Sequence, residues 1–484
     1  MSVQLRSRVH AVLANFCETG WPRSLPLDSW LSRGALAAAS LAAVSFADIP
    51  TASAVPSFAR QTGQPCATCH TAFPELTPYG RQFKLMGYTS GGTRCNDGSA
   101  KSNETQVPLA LMTLPATFTG VKNSANQAAM GAAPNNAWLP QEQSVFLAGQ
   151  LYCDVGAFAQ ATYSPSEHLF TWDNVDIRYA KTGVIDGTSI VYGITANNNP
   201  TVQDVWNTVP AWVAPYMGSA VGPAQSYGTM LGSSAYGQQV GGVSGYVWIN
   251  SSIYAEIGAY GSLPPRVLTN WAGGYDPGAS RLDGSAPYWR LAYEKTWDKN
   301  SLMFGTFGMF ANQRALGSDG LAGITDPTLD IGVDTQYQWI GEEHAVTLRA
   351  AYIWEKKKNN VEIANGANAN ASDQLNDLSI SASYIWDRKI SFTASRFNTW
   401  GTTDAGIYEN SANGSPNSSY WNFDLAYLPF MNGGPNIWPW FNARIGIQYT
   451  HFDKFDGTWN NVDNNPGLKA GGNDTVYLYT WLMF

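Results

Sequence analysis

Early in the chain stands Gln64-Pro65-Cys66-Ala67-Thr68-Cys69-His70. Two thiols two residues apart, with an imidazole directly after the second, form the attachment pattern of a c-type haem. The spacing follows from geometry. Both sulfurs must reach the vinyl groups of one rigid macrocycle, while the adjacent imidazole reaches its iron from one face. Cys66 and Cys69 are therefore expected to hold one haem c covalently, with His70 as the proximal ligand. A four-coordinate zinc site would need a second Cys/His pair at short spacing, and none follows.

The elements that must position this motif are short. Residues 1–54 read as an export signal: Arg33 supplies charge, Gly34 to Val44 an apolar core, and Ala52-Ser53-Ala54 a small-residue cleavage site, with a cut after Ala47 as the alternative. Residues 55–106 then form a haem segment of about 50 residues, too few to bury a sufficient core alone. Thr77 to Tyr88 is expected to be a short helix with Phe83 and Leu85 near the porphyrin, and Gly91-Gly92 and Asn96-Asp97-Gly98 are turn signals. The rest of the haem surface needs another wall. The segment is therefore expected inside, or capping the mouth of, whatever follows. Of the five cysteines, Cys17 leaves with the signal, and Cys95 and Cys153 remain in a compartment that permits a disulfide; pairing and two separate thiols are both open.

From Val107 onward the period is two. Leu329, Ile331, Val333, Thr335, Tyr337 and Trp339 alternate with Asp330, Gly332, Asp334, Gln336 and Gln338, and Val346 to Trp354 and Phe441 to Thr450 behave likewise. Charged residues are only 13% of the chain and aromatic residues also 13%, with 19 Trp and 24 Tyr. The longest nearly uncharged apolar run, residues 34–47, is too short for a spanning helix. An apolar face ending in aromatics opposite a polar face is the lipid-out, lumen-in pattern of a transmembrane antiparallel β-barrel. The predicted class is all-β, with the barrel over 107–484. A net charge of −8 argues against a nucleic-acid partner.

Tight turns at 297–300, 340–343 and 386–389 alternate with polar connections at 263–285, 312–328, 356–374, 399–418 and 453–473. Short turns face the periplasm in such barrels, so both termini are expected there. Residues 199–243 break this alternation. Two strands near Thr201–Val213 and Thr229–Val240 would restore it and bring the count to about 16; a plug in the lumen is the competing reading. The terminal run Val476 to Phe484 resembles the closing strand by which outer-membrane assembly machinery recognises its substrates.

Taken together, Val55 to Gly63, the Cys66–His70 motif, Leu76 to Gly80 and Phe83 to Tyr88 resemble the fused monohaem cytochrome–porins of iron-oxidising bacteria, as does Asn199 to Asn207. The remaining barrel matches in architecture only. The resemblance implies a 16-stranded outer-membrane barrel with one haem c at its lumen. It implies an oxidoreductase that takes electrons from extracellular Fe(II) and passes them to a periplasmic cytochrome c or blue-copper protein. The alternatives are a porin whose haem segment is a plug or redox sensor, and a conduit delivering electrons outward. Fe(II) in acid is a weak reductant and calls for a high-potential acceptor, which favours His/Met ligation. Met112, in the first strand, is the expected distal ligand, with Met86 as the alternative. Of the other histidines, His344 adjoins a turn, His451 has the parity of the lipid face, and His168 follows a turn. Carboxylates suited to iron lie in the polar connections, at Asp276, Asp319, Asp326, Asp404 and Asp456.

Overall fold

The computed structural model describes residues 55–93, 107–125, 135–165, 168–272, 281–314, 323–434, 438–462 and 465–484. The expected signal at 1–54, Cys95, and the Asn96-Asp97-Gly98 turn lie outside the described residues. Within them, the chain is a closed antiparallel barrel of 16 strands. Strand β1 comprises Leu109–Leu114 and Thr117–Val121, and β2 comprises Ala137–Leu139 and Glu142–Tyr152. They are followed by β3 (Val155–Ser164), β4 (Leu169–Ile185), β5 (Thr188–Asn197), β6 (Val240–Ile249), β7 (Ile253–Ser262) and β8 (Ala286–Trp297). The second half contains β9 (Asn300–Arg314), β10 (Asp326–Ile340), β11 (His344–Lys358) and β12 (Ser372–Trp386). It ends with β13 (Ile390–Gly401), β14 (Ser418–Tyr427), β15 (Asn442–Lys454) and β16 (Thr475–Met483). Each strand pairs with its sequence neighbour, and β16 closes on β1 with Met112 opposite Met483 and Thr117 opposite Tyr479.

Alternation determines which side faces out. In β10, Val333 is 52% exposed while Asp334, Gln336 and Gln338 are buried; in β11, Leu348 is 45% exposed while Arg349 is buried. Exposed aromatics stand at both rims, with Tyr152, Trp386 and Tyr427 at one and Trp138, Trp400 and Trp421 at the other. An apolar band between two aromatic belts, with polar side chains turned inward, is an outer-membrane barrel surface.

Tight turns such as Asp186-Gly187 and Asp298-Lys299 lie at one end, together with the longer 428–441 connection, and the other long connections lie at the opposite end. Residues 198–239 join β5 to β6 at the loop end, so the apparent break in alternation is absent. The two extra strands expected near 201–213 and 229–240 are not formed; the segment is turns and a short 3-10 helix, Pro210–Trp212. Every residue from Asn197 to Val209 is buried. Burial on both parities is incompatible with a strand in a two-faced wall, and Pro200, Pro210 and Pro215 would each remove a ladder donor. The insertion folds into the lumen, as the competing plug reading has it.

The N-terminal segment also lies inside the lumen. It holds three helices: α1 (Pro56–Thr62), α2 (Cys66–Cys69) and α3 (Pro78–Leu85). Arg81 of α3 donates to Gln336 (2.9 Å), Gln338 (2.7 Å) and Ser301 (2.8 Å) and pairs with Glu294 at 2.6 Å, all on the inner wall. Glu75 pairs with Arg349 at 2.5 Å, and the Tyr88 hydroxyl donates to Asp176 at 2.6 Å. The insertion meets the segment through Lys84, whose Nζ donates to the carbonyls of Val202 (2.7 Å) and Asp204 (2.8 Å). A charge taken out of water is tolerable only when paired and hydrogen-bonded. These contacts hold the segment to the wall at several heights.

Candidate functional site: a motif cradle within the lumen

The local fold presents the motif. The His70 amide donates to the Cys66 carbonyl at 2.9 Å, closing the single turn of α2. The Thr77 amide donates to the Cys69 carbonyl at 2.9 Å, and its hydroxyl to the Thr68 carbonyl at 2.7 Å. The same hydroxyl caps α3 by accepting from the Gly80 amide. Gly80 lets α3 approach closely, since a Cβ there would lie 2.2 Å from the Cys69 carbonyl oxygen. The expected Thr77–Tyr88 helix is thus present as α3, and its first turn braces the motif. On the other side, the Ala67 amide donates to the Met431 carbonyl at 2.9 Å, and Asn442 donates to Cys66 Sγ at 3.3 Å. Both partners come from the turn end of the barrel.

Cys66, Cys69 and His70 open onto one internal cavity of ≈ 450 Å³. Its apolar wall includes Phe58, Phe83, Phe146, Phe158 and Trp481. Phe83 is placed as expected. Leu85 is not: it belongs to a separate cluster with Trp206, Tyr246 and Trp248. Burial pushes the Cys69 thiol up to about 12, with Cys66 adding to the effect. Burial lowers the His70 imidazole to about 4, against the opposing carbonyls of Pro74 and Glu75. The imidazole is therefore neutral near pH 7, the form that ligates metals. Its Nδ1 is buried and lacks a hydrogen-bond partner among the described residues. Two adjacent thiols, a neutral imidazole and an aromatic-walled cavity suit a haem c, and these residues fit the group.

Met112 is buried and lines this cavity. Met86 does not; it caps the end of α3, where the Ser90 hydroxyl points to its sulfur at 3.8 Å. Met483 and Met217 also line the cavity and were absent from the sequence expectations. Met483 had a signal, because it shares parity with the inward Tyr477, Tyr479 and Trp481 of β16. Met217 comes from the insertion, where no periodicity points to it. Neither His168, His344 nor His451 lines the cavity. His344 sits by its turn and hydrogen-bonds Tyr384 at 2.9 Å, while His451 meets Asp474 at 3.0 Å.

Cys153 is in a disulfide whose partner lies outside the described residues, where both Cys17 and Cys95 stand. Three of the five loop carboxylates expected for iron fall within the described residues, and these three do not converge. Asp276 and Asp319 lie outside the described residues. Asp326, Asp404 and Asp456 are buried staples, accepting from the amides of Val361 (2.9 Å), Gly406 (2.8 Å) and Ser226 (3.0 Å). Among the described residues no three His, Cys, Asp or Glu side chains converge to hold a metal ion.

No protein-family model and no curated protein matches the chain. Solved structures similar to it include the outer-membrane OmpT of Vibrio cholerae, at 9% identity and a TM-score of 0.38 over 78% of this chain and 97% of that one. Salmonella typhi OmpF, solved with daunomycin, gives 14% and 0.43 over 78% and 97%. An anion-selective porin from Comamonas acidovorans gives 11% and 0.41 over 78% and 98%. The fold stated above rests on the strand pairing of this chain itself.

Proposed function

We propose that the protein is an outer-membrane oxidoreductase carrying one haem c, which accepts electrons from extracellular Fe(II) and hands them to a periplasmic cytochrome c or blue-copper protein. The observation that supports this reading is the Cys66–Cys69–His70 motif facing a cavity inside a transmembrane barrel. When bound, a haem c supplies a one-electron redox centre within the span of the membrane. The chain's own residues do the rest. Cys66 and Cys69 would tether the macrocycle, His70 would ligate its iron, and Met112 is the proposed second ligand. Phe58, Phe83, Phe146 and Trp481 would keep water from the cavity. The motif sits against the turn end, through Met431 and Asn442. With short turns facing the periplasm, both termini and the motif lie on the side of the soluble carrier. Fe(II) as donor rests on the family resemblance.

A second reading is a channel whose plug bears the haem, and the porin-type barrel favours it. Planar-bilayer conductance separates the two. The electron-transfer reading expects little ionic current, because α1 to α3 and the insertion fill the lumen. A steady open current indifferent to haem reduction supports the channel.

A further inference from the structure

The cavity that the motif faces is unevenly charged. Among the described residues its wall includes three carboxylates, Glu142, Asp173 and Asp204, but one lysine or arginine, Lys84 of α3. The carboxylates are already engaged. Glu142 accepts from Ser144 (2.8 Å) and Gln160 (2.9 Å), Asp173 from the Asn174 amide (2.8 Å), and Asp204 pairs with Arg290 at 2.9 Å.

Lys84 differs from the other lumenal cations. Arg81, Arg178, Arg290, Arg349 and Arg444 each meet a carboxylate directly. Lys84 is only 6% exposed, yet it forms no ion pair among the described residues. Its Nζ donates to the Val202 (2.7 Å) and Asp204 (2.8 Å) carbonyls and stands 4.7 Å from the centre of the Trp212 ring. An ammonium has three donors, so the two carbonyls leave one N–H without an oxygen acceptor. A buried charge calls for an opposite charge beside it.

Its place on α3 bears on what that charge could be. Gly80 abuts the Cys69 carbonyl, and Lys84 follows four residues later. Residues four apart share one helix face, here about 6 Å apart along the axis. Gly80, Phe83 and Lys84 all line the cavity, so that face runs from the motif to the lysine. A haem c is joined to its two cysteines along one edge of the ring and carries two propionate carboxylates on the opposite edge. Three acids in the wall repel such groups, and one buried ammonium attracts them.

We propose that Lys84 is the counter-ion of a haem propionate. It would fix the far edge of the ring and, through the Val202 and Asp204 carbonyls, join it to the insertion. The inference rests on the proposed haem c and is independent of which donor reduces it. A positive charge near the ring also favours the reduced iron, so Lys84 would raise the midpoint potential.

The test uses the full-length haem-loaded protein in detergent at mildly acidic pH. Resonance Raman spectroscopy follows the propionate bending mode, which reports hydrogen bonding to these carboxylates, and a redox titration gives the midpoint potential. Lys84→Met should shift the mode to lower frequency and lower the potential. Lys84→Arg, which keeps the charge, should stay near wild type in both. Trp212→Phe disturbs the same corner by removing the indole donation to the Val202 carbonyl, but keeps the ammonium, and should leave the mode in place. Where Lys84→Met takes up no haem, Lys84→Gln serves, and it should also lower the potential and weaken the mode. A mode unmoved in the neutral variants, or moved equally by Trp212→Phe, overturns the inference while the covalent haem stands. A wild type carrying no covalent haem removes the proposed function and this inference with it.

Discussion

At the scale of residues, the motif was legible because its chemistry is local: five consecutive positions specify two thioethers and a ligand. The structure adds what local spacing cannot show, namely that all three side chains open onto one aromatic-walled cavity. Replacing both Cys66 and Cys69 by Ser should abolish covalent haem, read as loss of haem staining on a denaturing gel, while heat-modifiable migration shows the barrel still assembled. Retained covalent haem would contradict the assignment. The distal ligand was only half legible. Met112 could be picked from its strand, but its neighbour Met483 is 371 positions away and arrives only when β16 closes on β1. Met112→Ala should lower the haem midpoint potential and alter its oxidised spectrum, whereas Met86→Ala should do neither. A changed potential in Met86→Ala with none in Met112→Ala would reverse the choice.

Elements carry the next level. Alternation over β10, β11 and β15 was readable because each strand has one lipid and one lumen face. Two strands were expected within the insertion at 198–239 because the alternation of turns and loops called for them, while its burial on both parities depends on a lumen that no local pattern records. Two changes test how these pieces are joined. Gly80→Ala forces a Cβ into the Cys69 carbonyl, so α3 must move off the motif. Covalent haem yield should fall while barrel assembly persists. Arg81→Ala strands Glu294 in the wall, and breaking such a buried pair costs about 3–5 kcal/mol. Limited proteolysis should then cut within residues 55–93 well before the strands. Equal resistance to wild type would mean the segment is held elsewhere. Lys84 offers a pH test. Burial lowers it to about 7 from 10.5, with Asp176 opposing and Arg178 assisting. Between these values the unfolded chain binds more protons, so Lys84 makes stability rise with pH from about 7 to 10.5. Lys84→Met should flatten that slope in thermal unfolding.

For the whole molecule, composition and alternation made the barrel readable: few charges, many aromatics and period two leave little else for so long a chain. What the lumen contains was not readable, because its contacts join residues far apart in the chain, 255 positions for Arg81 with Gln336. The architecture that results is a membrane-spanning wall filled by its own N-terminal segment and one loop, with the motif near the turn end. The measurement that bears most directly on this account is anaerobic mixing of the purified, haem-loaded protein with Fe(II) at acidic pH, followed by haem absorbance. The account predicts rapid stoichiometric reduction and a high midpoint potential. A haem that stays oxidised with Fe(II), yet is reduced by dithionite, would contradict it.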